Sequence, residues 1–221
     1  MSAVALVSAA TGAHPPPAPV PAQTVDHDLI LVTDRADLAT GDTVNGWRVV
    51  QDPRLHLGRR MAAKVPKCRP DLYTTADVVV WVDAQVIVES DRFVEWCCDQ
   101  LADGLVAARP HPRRTCCRDE AAAGQGPEGR GRFDGQHAVA QADSYLAAGL
   151  PRHWGLWWTM VMARRRCETT EVLGTLWLAE QAAWSAHDQV SLPYVAWRLG
   201  ARPVDMAAWP EGTLSIRPLV E

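Results

Sequence analysis

The chain has 221 residues, 48% of them hydrophobic, so it can bury a sizeable core and is not a disordered segment. Its net charge of −4, from 22 Lys+Arg against 26 Asp+Glu, excludes the basic excess that wrapping a nucleic-acid duplex requires. The six cysteines include two vicinal pairs, Cys97-Cys98 and Cys116-Cys117, and no C-x-x-C, which fits neither a zinc knuckle nor a disulfide framework and suggests reduced thiols in a cytoplasmic protein.

In chain order, the first element expected is a buried strand over residues 3–8. The small-residue loop Ala9-Ala10-Thr11-Gly12-Ala13 follows, where backbone can approach a ligand closely. No Lys or Arg precedes Arg35, so the apolar start lacks the charged region of a secretory signal, and no run reaches the ~18 apolar residues of a membrane span. Five prolines within residues 14–21 predict a stiff, extended loop inside one domain spanning residues 1–221. Residues 28–34 form a second apolar strand that ends in a carboxylate, Asp34, and residues 47–50 form a short third strand. Residues 59–64 favour a helix that Pro66 stops; Arg59, Arg60 and Lys64 share helical spacing there, as a solvated basic face or as a phosphate clamp.

Residues 78–82, four valines and a tryptophan, read as a strand buried on both faces and run straight into Asp83. That carboxylate either caps the next turn or points into the crevice where open α/β sheets bind ligands. Next come a short strand at 86–88, a helix over 91–103 capped by Ser90, and a buried strand at 105–108. Polar residues 109–120 lead into a helix near Cys117, whose Arg118, Asp119 and Glu120 either line a site or charge the first turn. Residues 124–135 predict a mobile surface loop and residues 136–148 a helix. Trp154, Trp157 and Trp158, around a Gly-Trp turn that enters a strand, are expected in the core, and His111 and His153 on the surface. Thr170 is expected to cap a helix with Val172, Leu173, Leu176, Trp177 and Trp184 on one buried stripe. His187-Asp188-Gln189 open a last helix ending near residue 199, with Asp188 as a site group or only an N-cap, and residues 203–206 form an edge strand. This alternation predicts an α/β fold with a mixed, mostly parallel sheet flanked by helices and ligand loops at the strand ends. No P-loop, G-x-S-x-G, G-x-G-x-x-G or His-Glu-x-x-His motif is present.

Six short motifs occur in a telling order: Val4-Ala5-Leu6-Val7-Ser8-Ala9-Ala10-Thr11-Gly12; Leu31-Val32-Thr33-Asp34; Arg60-x-x-x-Lys64-x-Pro66; Trp81-Val82-Asp83-Ala84; His111-Pro112-x-Arg114-x-x-x-Arg118-Asp119-Glu120-Ala121; and Trp184-x-x-His187-Asp188-Gln189-x-Ser191-x-x-Tyr194. Together, over residues 4–199, they resemble the glycosyltransferase-like domain family long catalogued as a domain of unknown function, whose plant members include seed-mucilage glycosyltransferases. The resemblance implies a GT-A-like (Rossmann-like) fold and transfer of a sugar from a nucleotide-diphosphate donor such as a UDP-sugar. The acceptor would be a carbohydrate, a protein or a modified nucleobase; the alternative is a degenerate nucleotide-sugar or glycan-binding module. It further implies that Asp83 is the counterpart of the family's Asp motif and of a metal ligand. Thr11, Asp34, Arg60, Lys64, Arg118 and Gln189 would join it around the donor, and Asp119, Glu120, His187 and Asp188 would be catalytic. Two departures bear on cofactor and pH. Asp83-Ala84-Gln85 stands where Asp-x-Asp is usual, and a neutral amide oxygen is a poor ligand for Mg²⁺ or Mn²⁺, which puts a divalent cofactor in question. His187 stands where the family commonly carries Arg, introducing a titratable group.

Overall fold

The computed structural model describes residues 3–52, 58–129, 131 and 133–217. Its main sheet has eight strands: β1 (Val4–Ala10), β2 (Asp28–Thr33), β3 (Thr43–Val44), β4 (Trp47–Gln51), β5 (Val78–Val82), β7 (Val106–Pro110), β8 (Trp157–Arg165) and β9 (Val204–Asp205), in the order β3-β4-β2-β1-β5-β8-β7-β9. A separate antiparallel pair joins β6 (Val86–Val88) to β10 (Leu214–Ile216). The centre is parallel: β1 lies between β2 and β5, with Leu6 opposite both Leu29 and Val80. Every residue of β5 is buried, as a strand covered on both faces requires, which explains its unbroken apolar run. The C-terminal ends of β1, β2 and β5 therefore share one edge, the edge that carries Thr11, Asp34 and Asp83.

β8 runs the other way, antiparallel to both β5 and β7. This reversal brings the start of β8 beside the end of β5, with Asp83 N–H donating to Met160 C=O at 2.8 Å. Thr159, a polar residue inside an apolar run, thus arrives at the same edge as Asp83.

Helices α1 (Arg59–Cys68), α2 (Phe93–Leu101), α3 (Cys117–Gln125), α4 (Ala138–Ala147), α5 (Glu168–Ala183) and α6 (Asp188–Arg198) cover the sheet. On one face Phe93, Val94 and Leu101 pack against Leu6, Val80 and Val161; on the other, Leu173, Trp177 and Leu192 pack against Val7, Val79 and Met162. Each such side chain, fully buried, contributes about 1.5–3 kcal/mol. A third cluster, including Ala121, Tyr145 and Val190, ties α3, α4 and α6 together. No helix among the described residues is long and apolar enough to cross a membrane.

Three local expectations are corrected. Pro66 does not stop α1, which runs on to Cys68. The last turn is held from outside, because the buried Arg164 guanidinium donates to the carbonyls of Lys67 and Cys68. Those bonds offset the roughly 3 kcal/mol that an interior proline costs a helix. In α5, Leu173 and Trp177 are buried but Val172, Leu176 and Trp184 are exposed. The inward face passes instead through Gly174, where a Cβ would stand 2.0 Å from the Cys68 carbonyl oxygen. Thr170 lies one turn inside α5, its hydroxyl accepting the Cys167 N–H at 3.1 Å in a capping box, and Cys167 is the N-cap.

Candidate functional site

Two charged clusters face each other across a cleft of about 260 Å³ at the strand-end edge. The first is built from regular elements. Lys64 and Lys67 lie three residues apart on α1 and so share one face of it. Both ammonium groups meet the same oxygen of Asp188, the first residue of α6, at 2.9 and 2.5 Å. Lys67 also reaches Asp83 at 3.3 Å and Thr159 Oγ1 at 3.2 Å, and Thr159 donates to Asp188 at 3.1 Å. The Trp81 indole N–H donates to Asp83 at 2.7 Å, and the Trp177 indole to the Asp188 carbonyl at 3.0 Å. Burial alone would discharge Lys67, but Asp188 and Asp83 outweigh it and raise its pKa. Burial likewise disfavours ionised Asp188, yet the two lysines hold its carboxyl far below the ordinary range. Asp188 is not the N-cap that its position suggested: His187 holds that place, and Asp188 is the first residue of α6.

The second cluster centres on Glu120, which α3 turns inward to 6% exposure. Arg114 Nε donates to it at 2.6 Å, His187 Nε2 lies at 3.1 Å from it and His111 Nε2 at 3.5 Å. Arg114 and Arg113 each pair with Glu128 at 2.9 Å. Burial pushes the Glu120 carboxyl up, but the bonds from His187 and Arg114 prevail and bring it down to about 2. Burial, opposed by Glu120, holds His111 below the ordinary histidine value. His187 is buried, stacked on Phe133 at 4.1 Å between ring centroids, with the Arg60 guanidinium 5.5 Å from the Phe133 centroid on the same stack. Its Nε2 faces Glu120, and its Nδ1 has no hydrogen-bond partner among the described residues.

The residues singled out in the sequence thus divide. Lys64, Asp83, Glu120, His187, Asp188 and Gln189 line the one cleft. Thr11 and Asp34 lie in a smaller hollow at the ends of β1 and β2, beside Asp52 and Pro66, where Gly12 N–H donates to Asp34 at 2.6 Å. Arg60 does not line the cleft; its guanidinium lies 5.5 Å from the centroid of Phe133, which does. The side chain of Arg59 lies outside the described residues. Arg118 and Asp119 turn away from the cleft, Arg118 to Asp143 at 2.7 Å and Asp119 to Arg152 at 3.7 Å. They share the first turn of α3 with Glu120, and a helix points successive residues about 100° apart, so only Glu120 faces in.

Other expectations are corrected here. His111 is not a surface residue: only 7% of its side chain is exposed. Residues 124–135 do not form one surface loop. α3 continues to Gln125, Pro127–Gly129 makes a short 3₁₀ turn, and Glu128, Gly129 and Phe133 line the cleft. Trp157 is core, as expected, whereas Trp158 reaches the cleft. Lys67, Thr159 and Phe133 were not foreseen. The signal for Lys67 was present, since a second lysine three residues after Lys64 shares its helix face once the helix is allowed past Pro66.

The family model described as "TOD1/MUCI70, glycosyltransferase-like domain" matches residues 30–211, and the chain belongs to that family. The motif resemblance is borne out at that level. Among solved structures, the chain is similar to the crystal structure of mouse Xyloside xylosyltransferase 1 in its apo form, at 10% identity and a TM-score of 0.45, over 90% of this chain and 81% of that one. No curated protein matches.

Proposed function

We propose that this chain is a GT-A glycosyltransferase that takes its sugar from a nucleotide-diphosphate donor and neutralises the departing diphosphate with lysines. The observation that carries this is the pair Lys64 and Lys67, two ammonium groups on a single carboxylate oxygen at the floor of the cleft. Glycosyl transfer builds positive charge at the anomeric carbon and negative charge on the leaving diphosphate, and preorganised cations lower that barrier most where water is excluded. The family implies a metal at Asp83, but the donor set does not fit one. Mg²⁺ and Mn²⁺ want several hard oxygens with open lone pairs. Asp83 accepts from both Lys67 and Trp81 on Oδ1, which leaves Oδ2 as its one uncommitted carboxylate oxygen, and Gln85 beside it, whose amide nitrogen donates to Met160 Sδ at 3.3 Å, adds only a neutral amide oxygen. No group of three or more His, Cys, Asp or Glu able to hold a metal occurs among the described residues.

In this reading the acceptor oxygen bonds to the anomeric carbon as that carbon's bond to the diphosphate breaks, and the electron pair leaves with the diphosphate. The acceptor proton goes to the departing phosphate oxygen. Glu120, at about 2, and Asp188, lower still, are too acidic to be efficient general bases. Asp188 then positions the two lysines, and Glu120 positions Arg114 and His187.

Donor hydrolysis and transfer with a panel of UDP- and GDP-sugars, each with Mn²⁺ and with EDTA, tests this. Turnover that persists in EDTA and falls in Lys64→Met is expected. No turnover with any donor, together with donor binding by Asp83→Ala equal to that of the wild type, would sink it. The saturation of every cleft carboxylate by a cation favours one rival, a binding module without turnover, which saturable donor binding with no product would establish.

A further inference from the structure

A second groove, of about 350 Å³, lies between the start of α1 and the end of α5. Its volume falls in the range of about 300–1,000 Å³ typical of small-molecule sites. Trp184 borders it and is 37% exposed, the only tryptophan in the exposed class among the described residues. Gln181, 2% exposed, lines it too. Its amide nitrogen donates to Cys68 Sγ at 3.1 Å and to the Trp177 carbonyl at 3.2 Å, while its Oε1 has no donor among the described residues. A buried acceptor left unsatisfied is destabilising, and a ligand hydroxyl that bonded to it would recover that loss. Gln136 is fixed at the rim by the Ala186 N–H, which donates to its Oε1 at 2.7 Å.

The chemistry of this lining selects the ligand. Among the described residues no carboxylate borders the groove and Arg60 is the one charged side chain that lines it, a lining that suits neither a metal ion nor a polyphosphate. A flat indole face beside fixed amides and an unfilled acceptor matches a neutral polyhydroxylated ring, apolar on its C–H face and donor-rich at its edge. The position relative to the cleft is equally specific. Arg60, which lines the groove, stands one helical turn, about 5.4 Å, before Lys64, which lines the cleft, and Ala186 of the groove directly precedes His187 of the cleft, so the two sites are neighbours along both α1 and the start of α6.

We propose that the Trp184–Gln181 groove is a carbohydrate-binding subsite that holds a ring of the acceptor glycan, with Trp184 as its platform. The role as acceptor subsite rests on the glycosyl-transfer reading above, whereas the binding of sugar does not. The test is saturation-transfer difference NMR on the full chain with a panel of neutral disaccharides (xylobiose, cellobiose, lactose and mannobiose), and UDP as a separate reporter of the cleft. At least one disaccharide is expected to bind the wild type, to weaken tenfold or more in Trp184→Ala, and to weaken less in Trp184→Phe. Gln181→Leu, which keeps the volume and removes the acceptor, is expected to weaken it at least threefold. UDP binding is expected to stay within twofold in all three variants. Absence of disaccharide binding, or binding indifferent to Trp184→Ala, would overturn the subsite. Equal loss of UDP and sugar in Trp184→Ala would overturn it as a separate site. Sugar binding without any UDP binding would leave the subsite standing and remove the donor reading.

Discussion

The lysine cluster and the glutamate cluster bound the same cleft and are built in opposite ways. Lys64, Lys67, Asp83, Thr159 and Asp188 all come from helices, strands or the residue just beyond a strand, so the fold itself sets their spacing. Around Glu120, the partners His111, Arg114 and Glu128 and the wall residue Phe133 come from connections or a 3₁₀ turn. The first arrangement can only be altered by moving the sheet or α1. The second can be changed by loop substitutions that leave the core untouched.

Several substitutions break or sharpen that contrast, and the largest effect belongs to Lys67. Lys67→Met leaves Asp188 facing one lysine instead of two and Asp83 facing none, and urea denaturation should show a stability loss of about 3 kcal/mol, the low end for opening a buried ion pair because Lys64 remains on Asp188. Lys64→Met keeps Lys67 on Asp188, so its stability should fall by about 1 kcal/mol. Donor turnover should nevertheless drop about 100-fold, the scale of removing one preorganised donor to a developing anion. The two lysines are thereby separated into one that holds the fold and one whose loss is read in the kinetics.

Acid should act on the second cluster. The folded-state value of Glu120, about 2, lies below its ordinary 4.5, so its stabilisation is complete above about pH 4.5 and is lost as pH falls toward 2. Chemical denaturation of Glu120→Gln between pH 5 and 2.5 should show a shallower acid decline than the wild type, by up to about 3 kcal/mol. Asp188 shifts in the same direction and keeps part of the decline in both proteins. The smallest effect is expected for His111→Asn. His111 is held below the ordinary histidine value, so it is neutral at pH 7 and its loss there should cost about 1 kcal/mol or less. Its own contribution to stability declines as pH falls below about 6.5, because the unfolded chain takes up the proton first; the variant lacks that component.

The sheet was readable because β1, β2 and β5 are unbroken apolar runs ending at small or acidic residues, and burial on both faces leaves little else for such runs to be. Asp83, Asp188 and His187 were readable because they sit where strands end or helices begin. What escaped detection depended on phase and direction. Glu120 faces in and Asp119 faces out through a rotation of one residue on α3, which the start of the helix fixes and the pattern does not. Thr159 reaches the site only because β8 runs antiparallel. Lys67 was hidden behind Pro66, whose helix-breaking tendency is overridden by Arg164, a residue 98 positions further along the chain that donates to the last carbonyls of α1.

Those same carbonyls give Gly174 a mechanical meaning. α5 and α1 touch backbone to backbone there, with the Cys68 carbonyl occupying the space that any side chain at 174 would need. The next residue back along α1 is Lys67. The clearance between two helices, on the side of α1 away from the substrate, therefore sets how far the ammonium projects into the cleft. One methyl group added at that contact would force the two backbones apart and displace Lys67 together with the carbonyls that Arg164 holds, although no residue that lines the cleft had been changed.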